Sequence, residues 1–405
     1  MELLAPAGGL EQLEYALHFG ADAVYLGGER FGLRARACNF TDDELAHAVG
    51  LVHDAGKCVH VTLNSLMHEG DLEPLRSFIV FLADLGVDAV IVSDMAAVRL
   101  VRELAPTIDI HISTQASCAN HLAALQWYEL GARRIVLARE LSLSEIAAIR
   151  ARIPRDLELE VFVNGAMCMA YSGRCLISTY LTGRDANRGN CTQPCRWNYV
   201  LEEEKRPGEY FPVEEDRHGT YIMNSKDLMM LEHLDDLEAA GVDSIKIEGR
   251  VKGAYYIATV VNAYRHVLDG ADPRDYLPEM EAVSHRPYHT GFFYGPAEQE
   301  VGESVYTQTH DWVAVVDSCV PVDSQEAAWS VDVIQRNRFF DGDELEVLSP
   351  GKPVRKVIVH DLRTDLGQTC EVANRALAVY GFTCEHELGP RDILRRKRED
   401  ARVKG

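Results

Sequence analysis

Short apolar runs alternate with amphipathic stretches through roughly the first 250 residues of the chain. One phrase recurs as GADAVYLGG, GVDAVIVSD, GARRIVLAR and GVDSIKIEG, beginning at Gly20, Gly86, Gly131 and Gly241. Each copy follows a segment typical of a helix, such as LEQLEYALHF. Glycine suits the left-handed residue that ends a helix, and the β-prone residues after it suit a buried strand. The pattern therefore predicts repeated helix-to-strand units.

Four further strand candidates lie between these copies, namely ELLAPAG, KCVHVTLN, DIHISTQ and LELEVFVNG. Eight short strands, mostly separated by helical segments, imply a parallel sheet, and eight such units most economically close into a TIM-like (β/α)8 barrel. A doubly wound open sheet is the alternative, but the chain has no GxGxxG or GxxxxGK[ST] phosphate loop to support it. The predicted fold class is therefore α/β.

The barrel pattern breaks at two places. Residues 168 to about 219 form a long, cysteine-bearing insertion between the seventh and eighth predicted strands. After HRPYHTGFFYGP the chain changes to short alternating runs, separated by turn residues such as Asp341-Gly342 and Pro350-Gly351. We therefore predict a barrel domain over residues 1–298 and a small all-β, barrel-like domain over residues 299–405, which ends in a basic tail.

Composition is ordinary, but charge restricts the partners. Hydrophobic residues make up 47% of the chain and charged residues 26%, as in a soluble globular protein. Neither the N-terminus nor the most apolar window fits a signal peptide or a bilayer span, so a cytoplasmic protein without a membrane partner is expected. The net charge of −22 disfavours non-specific nucleic-acid binding. A polyanion would have to meet a local basic patch such as RRKRED near the C-terminus, which could equally be a solvated helix end.

In a barrel of this type, the functional groups lie at the C-terminal ends of the strands. Those ends and the loops after them are rich in guanidinium and amide groups, which suit planar binding of carboxylates or phosphates. The chain has neither HExxH nor GxSxG, so no catalytic residue is assigned. The predicted substrate-binding residues are Arg34, Arg36, Asn64, Gln115, Arg139, Glu140, Lys246, Glu248 and Arg250.

Four of the ten cysteines, Cys168, Cys175, Cys191 and Cys195, lie close together in the predicted insertion. Clustered cysteines in a reducing compartment bind metal more often than they form disulfides. Their spacing is wider than the tight knuckles of most zinc sites, whereas a 4Fe–4S cluster tolerates wider spacing. An iron–sulfur cluster is the first prediction, zinc the second and a catalytic thiol the third. Cys38 is a substitute fourth ligand.

The segment ELEVFVNGAMCMAYSGRCLIS, from Glu158 to Ser178, closely resembles the signature of the collagenase-like peptidases of unassigned catalytic type, a peptidase U family. The phrases LLAPAG, TLNSLMHEG, LARELSL, RGNCTQPCRW, IKIEGR and SHRPYHTGFFYG are similar to recurrent phrases of the same family. The resemblance covers the predicted barrel and extends into the β domain.

Despite the family's name, the resemblance implies hydroxylation chemistry for several of its branches, together with a cysteine-bound 4Fe–4S cluster. One branch makes 5-hydroxyuridine at the wobble position of tRNA with prephenate as the apparent hydroxyl source. Another hydroxylates a cytidine of ribosomal RNA and is typically longer. A third serves quinone synthesis and usually lacks the appended domain. The length and single β domain of this chain resemble the tRNA branch most.

This resemblance implies an enzyme that modifies tRNA, with a dicarboxylate such as prephenate as co-substrate. Arg34, Arg36 and Arg139 would hold its carboxylates, because a forked cation satisfies both oxygens of each. Asn64 and Gln115 would orient it through hydrogen bonds. The β domain and the basic tail would bind the tRNA, mainly by its phosphates. Proteolysis, and hydroxylation of ribosomal RNA or a quinone precursor, are the alternatives.

Overall fold

The structure is a computed structural model. It describes residues 1–33, 39–167, 177–184, 191–192, 194, 214–216, 219–221, 226–297, 306–322 and 328–398. The predicted boundary near residue 298 and most of the predicted insertion lie outside these residues.

The first of two β systems takes its strands from the N-terminal three quarters of the chain. The strands of this part of the chain, of which β8 and β9 form a separate two-stranded sheet, are β1 (Glu2–Pro6), β2 (Ala23–Leu26), β3 (Cys58–Leu63), β4 (Ala89–Val92), β5 (Asp109–Ile112), β6 (Arg134–Val136), β7 (Glu158–Ala166), β8 (Glu214–Asp216), β9 (Gly219–Tyr221), β10 (Asp227–Met229), β11 (Ser244–Ile247) and β12 (Tyr288–His289).

Helices alternate with these strands. They are α1 (Leu10–His18), α2 (Asp42–Asp54), α3 (Leu72–Leu85), α4 (Met95–Leu104), α5 (His121–Glu129), α6 (Leu143–Arg150), α7 (Ile177–Thr182), α8 (Leu234–Ala239), α9 (Ala254–Leu268) and α10 (Leu277–Ala282). None of the helices in the described ranges is both long and apolar enough to cross a bilayer.

The strands β1 to β7 and β11 form a closed parallel barrel. They pair in chain order, and β11 closes the ring by pairing with both β1 and β7. The recurring glycines act as expected: Gly86, for example, ends α3 with a φ of 77°. The predicted TIM-like barrel is therefore confirmed. Its β7 is extended by β10, which runs antiparallel to it and carries β12 on its other edge.

The C-terminal part of the chain forms an antiparallel sheet. Its seven strands pair in the order β17, β16, β21, β13, β14, β20 and β18, while β15 and β19 form a separate pair. An all-β C-terminal domain is thus confirmed. The bounds of its strands are β13 (His310–Pro321), β14 (Trp329–Gln335), β15 (Phe339–Phe340), β16 (Glu344–Leu348), β17 (Arg355–Ile358), β18 (His360–Thr364), β19 (Val372–Ala373), β20 (Val379–Cys384) and β21 (Ile393–Lys397).

Aromatic contacts join this sheet to the barrel helices. The Trp312 ring on β13 meets the edge of Tyr15 on α1 at 5.9 Å and stacks on Tyr255 of α9 at 6.3 Å between ring centroids. Val315 and Ile393 of the sheet pack into the same apolar cluster as the barrel helices. The β domain therefore packs against α1 and α9 through a continuous apolar core.

The basic segment near the C-terminus is neither a solvated helix end nor a free tail, the two structures that the sequence suggested. Residues 393–397 form an inner strand of the sheet instead of a helix end or a free tail. The Arg395 side chain is only 2% exposed and binds both Glu279 and Glu346. Arg396 pairs with Asp343, and Arg398 with Asp311. The expectation that this segment holds tRNA phosphates stays a prediction, and nearby carboxylates balance the charges of Arg395, Arg396 and Arg398.

Candidate site at the barrel mouth

The segment Glu248–Arg250 follows β11 and is fixed at the C-terminal end of the barrel by glycines on its neighbours. A Cβ built on Gly8 would lie 2.1 Å from the carbonyl oxygen of Arg250, and one on Gly165 would lie 2.6 Å from that of Glu248. Gly165 also has a φ of 105°, which other residues rarely adopt. Only glycine at both positions lets the two backbones approach so closely, so this segment is held rigidly.

Arg250 points from this segment across the barrel mouth. Its side chain is buried, and its guanidinium donates to Asn39 Oδ1 at 2.6 Å and to Thr62 Oγ1 at 3.3 Å. A Cβ on Gly27 would come within 2.6 Å of Nη2, so the glycine leaves the space that the guanidinium fills. The amide and the hydroxyl hold the Arg250 guanidinium in place at the mouth.

Arg139 lies at the end of β6 and faces the last residues of β7. Its guanidinium donates to the carbonyl oxygen of Ala166 at 2.8 Å and lies 3.8 Å above the centroid of the Phe162 ring. The carboxylate of Glu248 is 4.0 Å away, at the limit for an ion pair. Arg139 is thus oriented by an aromatic face and a carbonyl, and its Nε is buried without a partner among the described residues.

A bulge in the pairing of β7 with β11 sets the direction of Asn164. The register shifts between Lys246 and Ile247, as bulges beside functional sites often do. The Asn164 amide donates to the Tyr256 hydroxyl at 2.8 Å, and its oxygen accepts from Tyr264 at 3.4 Å. Asn164 is 1% exposed, so it supports the end of β7 from below the mouth.

Three other predicted residues occupy neighbouring strand ends. Asn64 accepts a hydrogen bond from the amide of Leu33 at 3.2 Å, which anchors the loop that leads to Arg34. Gln115 lies in a short 3-10 turn, residues 114–116, after β5, and Glu140 directly follows Arg139; both are half-buried. The structure therefore brings Asn64, Arg139, Glu248 and Arg250 to one face of the barrel, as predicted from the strand ends.

Lys246 was predicted at the same mouth, but its side chain enters the barrel interior. Its Nζ donates to Glu160 at 2.8 Å and lies 4.3 Å from the centroid of the Tyr25 ring. Burial raises the pKa of Glu160, but the charges of Lys246 and Arg134 outweigh it and lower the pKa to about 2. The Lys246 ammonium is thus paired with Glu160 inside the barrel, below the mouth.

The buried charges around Glu160 form a network that sequence reasoning missed. Arg134 bonds to Glu160 at 3.0 Å, and also to Glu2 and Glu158. The Ser244 hydroxyl donates to Glu2 at 2.9 Å. A signal was present in the sequence, because ELEVFVNG contains Glu158 and Glu160 in a strand that, when buried on both faces, is normally apolar throughout. Glu160 and Phe162 both contact Lys246 in the barrel interior.

Two histidines complete the polar interior. His60 and His111 are each 3% exposed, and their rings meet edge-to-face at 4.7 Å between centroids. Burial lowers the pKa of His60 to about 4 and that of His111 well below its ordinary value, so both are neutral at pH 7. The Nδ1 of each ring has no partner in the part of the chain that the structure describes.

The predicted metal ligands can be placed only in part. Cys168, Cys175 and Cys195 lie outside the described residues, as do Arg34, Arg36 and Cys38. Cys191 is half-buried, and the Thr192 amide beside it donates to the hydroxyl of Ser178 at 3.1 Å. This bond brings Cys191 close to the segment that begins two residues after Cys175. The thiol donors and this approach fit a shared metal site.

Comparison with known proteins places this geometry in a family. A family model described as peptidase family U32 matches residues 8–303, and one described as the peptidase family U32 C-terminal domain matches residues 308–395. Together they cover the barrel, its insertion and the antiparallel sheet. The resemblance drawn from the sequence is thereby confirmed.

Three relatives represent the functional alternatives. The tRNA hydroxylation protein P1 of Bacillus subtilis is 37% identical, over 98% of this chain and 94% of its own length. A 23S rRNA 5-hydroxycytidine synthase of Escherichia coli is also 37% identical, over 75% of this chain and 46% of its own length. A collagenase of Porphyromonas gingivalis is 31% identical, over 98% of this chain and 99% of its own length.

Proposed function

This chain belongs to peptidase family U32, and from that premise we propose that it hydroxylates tRNA, forming 5-hydroxyuridine at the wobble position with prephenate or a similar dicarboxylate as the hydroxyl source. The observation that carries the proposal is the hydrogen bond from Arg139 to Ala166, two residues before Cys168. It joins the cationic mouth of the barrel to the start of the cysteine-bearing segment. A relative matched over nearly its whole length is named for tRNA hydroxylation.

The chain's own residues would bind and orient the small co-substrate. Arg139 and Arg250 present guanidinium groups that aromatic, amide and carbonyl partners orient at the mouth, and a guanidinium suits planar binding of a carboxylate. Asn64 anchors the loop that continues to Arg34 and Arg36. These arginines together would clamp two carboxylates. Glu248, 4.0 Å from Arg139, would limit how deeply a second anion enters.

A 4Fe–4S cluster held by Cys168, Cys175, Cys191 and Cys195 would supply one-electron redox chemistry at this end of the barrel. Anaerobic reconstitution should then give a brown protein with about four irons per chain. A colourless protein that holds one zinc would contradict the assignment. Cys191→Ser should lower the iron content, whereas the matched control Cys370→Ser, in the β domain, should leave it unchanged.

The described thiols give little support to proteolysis. Burial raises the pKa of Cys118 and of Cys384 to about 11, and it also raises the pKa values of Cys58 and Cys319. A thiol nucleophile needs a lowered pKa or an adjacent base, because the thiolate is the reactive form. Cleavage of collagen-like peptides by the metal-free protein would nevertheless favour the peptidase alternative.

Nucleoside mass spectrometry tests the reaction. The tRNA comes from a strain that lacks this protein and its paralogues, complemented with wild type, Arg250→Gln or Arg396→Gln. Wild type and the Arg396 control should restore 5-hydroxyuridine derivatives, and Arg250→Gln should not, because it removes a guanidinium from the mouth. Unchanged modification in the deletion strain would defeat the proposal.

A further inference from the structure

Large apolar side chains are exposed around the end of the barrel that carries the candidate site. Leu66, Met95, Leu122 and Val251 are between 44% and 67% exposed, and they follow β3, β4, β5 and β11 respectively. We call these four residues the apolar rim. Among the described residues before 298, the remaining large exposed hydrophobics are Val80, Leu181 and Tyr294.

The rim is placed by the fold. All parallel strands of a barrel end on one face, so the residues that follow them share that face. Because β3, β4 and β5 are adjacent, Leu66 in the segment after β3, Met95 at the start of α4 and Leu122 at the start of α5 belong to three consecutive strand-to-helix connections. Val251 follows β11 and comes directly after Arg250, one of the cations of the mouth. The rim therefore lies on the face of the barrel that carries the candidate site.

Helix caps hold the rim in a defined conformation. Asp94 accepts hydrogen bonds from the amide of Ala96 at 2.8 Å and from that of Met67 at 3.1 Å, which fixes the backbone on either side of Met95 and beside Leu66. Asn120 caps α5 by accepting from Ala123 at 3.0 Å, next to Leu122. Ordered apolar groups lose little conformational entropy when a partner covers them.

The charge of the protein restricts what can cover the rim. At a net charge of −22, a partner held mainly by its phosphates would be repelled. The arginines of β21 do not offset this, because carboxylates pair with them. Loops of RNA, however, present unstacked bases whose faces can pack on protein side chains, and this contact does not itself use phosphate charge.

We infer that the apolar rim binds the unstacked bases of an RNA loop, so that the loop is held at the mouth mainly through its bases. The inference rests on the proposed function, since it names how that RNA substrate docks. Lys252, beside Val251, adds a cation near the rim: its Nζ lies 4.8 Å from the Tyr306 ring centroid and donates to the carbonyl of Ser284. This residue would supply one phosphate contact.

Salt dependence separates docking by bases from docking by phosphates. The probe is an anticodon stem–loop RNA, titrated with the full-length, cluster-loaded protein between about 50 and about 200 mM salt. With one phosphate contact, affinity should fall by roughly 3-fold over this range, whereas six contacts would give a fall of several hundred-fold. The steep dependence would overturn the inference.

Substitutions in the apolar rim provide the second test of the inference. Leu122→Ser, Met95→Ser and Val251→Ser should each weaken binding by about 5-fold or more, with the salt slope unchanged. Val80→Ser is the matched control, because Val80 is similarly exposed but lies on α3, away from the mouth. Wild-type affinity in all three rim variants would also overturn the inference.

The two proposals fail separately. Rim-dependent binding of the stem–loop without any 5-hydroxyuridine product would retain the docking surface and reject the reaction. Normal modification of tRNA by protein whose rim variants bind the stem–loop as wild type does would reject the docking surface and retain the reaction.

Discussion

Arginines at the barrel mouth and arginines on the last strand of the β domain have different partners. Arg250 bonds to an amide and a hydroxyl, and Arg139 to a carbonyl and a ring face. Arg395 instead binds both oxygens of Glu279 at 2.6 Å and Glu346 at 2.9 Å. The same type of side chain is therefore held by amide, hydroxyl, carbonyl and aromatic groups in one region and by two carboxylates in the other.

The difference shows that a run of basic residues is a poor guide to anion binding by itself. What matters is whether neutral groups or carboxylates satisfy the guanidinium. A guanidinium whose partners are neutral groups can still attract an anionic ligand. A guanidinium in a buried ion pair cannot, because the carboxylate of its partner already balances its charge. The RRKR segment has the higher charge density in the sequence, yet the scattered arginines of the strand ends are better placed for an anion.

The largest expected effect is on stability. Arg395→Ala should lower the free energy of unfolding by about 3–5 kcal/mol, because it leaves Glu279 buried without its cation at the contact between the barrel and the sheet. Urea denaturation measures the change. The control Arg396→Ala removes a 37% exposed arginine and should cost at most about 1 kcal/mol. Equal losses of unfolding free energy in the two variants would show that the buried and the exposed ion pair contribute equally to stability.

Acid should weaken the same contact over a defined range. The His310 imidazole, whose Nε2 lies 3.3 Å from the carboxylate, and the charge of Arg395 lower the pKa of Glu346 to about 2. An unfolded glutamate titrates near 4.3, so this stabilisation is present above about pH 4.3 and is lost as the pH falls toward about 2. Denaturation midpoints measured down this range should fall less in Glu346→Gln than in wild type. Parallel profiles would show that Glu346 contributes nothing to the acid sensitivity.

A smaller, purely functional effect is expected at the mouth. Gly27→Ala puts a methyl group 2.6 Å from Nη2 of Arg250 and should displace that guanidinium, reducing tRNA modification by about 10- to 100-fold. Urea denaturation should show little loss of stability if the side chain can move. Gly50→Ala, on α2 with open space around its Cβ, is the control and should retain full activity.

The smallest effect tests the last strand directly. Arg396→Gln and Arg398→Gln should change the affinity for an anticodon stem–loop by less than about 2-fold, since Asp343 and Asp311 already balance these charges. Filter binding or fluorescence anisotropy suffices. A drop as large as that caused by a rim substitution would restore the C-terminal strand as an RNA contact.

The sequence predicted the barrel well because its signals are local. Each GxDAV-type phrase carries its own helix end and strand, so the eight strands and their order follow from periodicity. Position at a strand end also brought Asn64, Arg139 and Arg250 together. The direction in which each side chain points could not be predicted as easily from the sequence. Lys246 is near the same strand end but points inward, because the alternation along β11 is set by its pairing with β7.

The partners of the buried ion pairs could not be predicted from the sequence, for a different reason. The partner Glu279 lies 116 residues away on α10, whose approach depends on the packing of the sheet against the barrel, and the partner Glu346 lies 49 residues away on the neighbouring strand β16. Glu160 and Lys246 are likewise 86 residues apart. No local pattern encodes such partners, so the basic segment looked available for RNA. Its neutralisation is a property of the tertiary structure alone.

The closure of the barrel by its first and last parallel strands has a consequence for how a cell makes this protein. Glu2 and Ser244, whose side chains bond across that seam, are 242 residues apart. A ribosome that adds about 5–20 residues per second needs roughly 12–50 s between them. During that time the edge of β1 has no β11 to pair with. The contact of Tyr15 with Trp312 forms later still, because Trp312 is synthesised after β11. The nascent chain therefore exposes a strand edge that chaperones must shield, and a product truncated before β11 would remain an open, association-prone sheet.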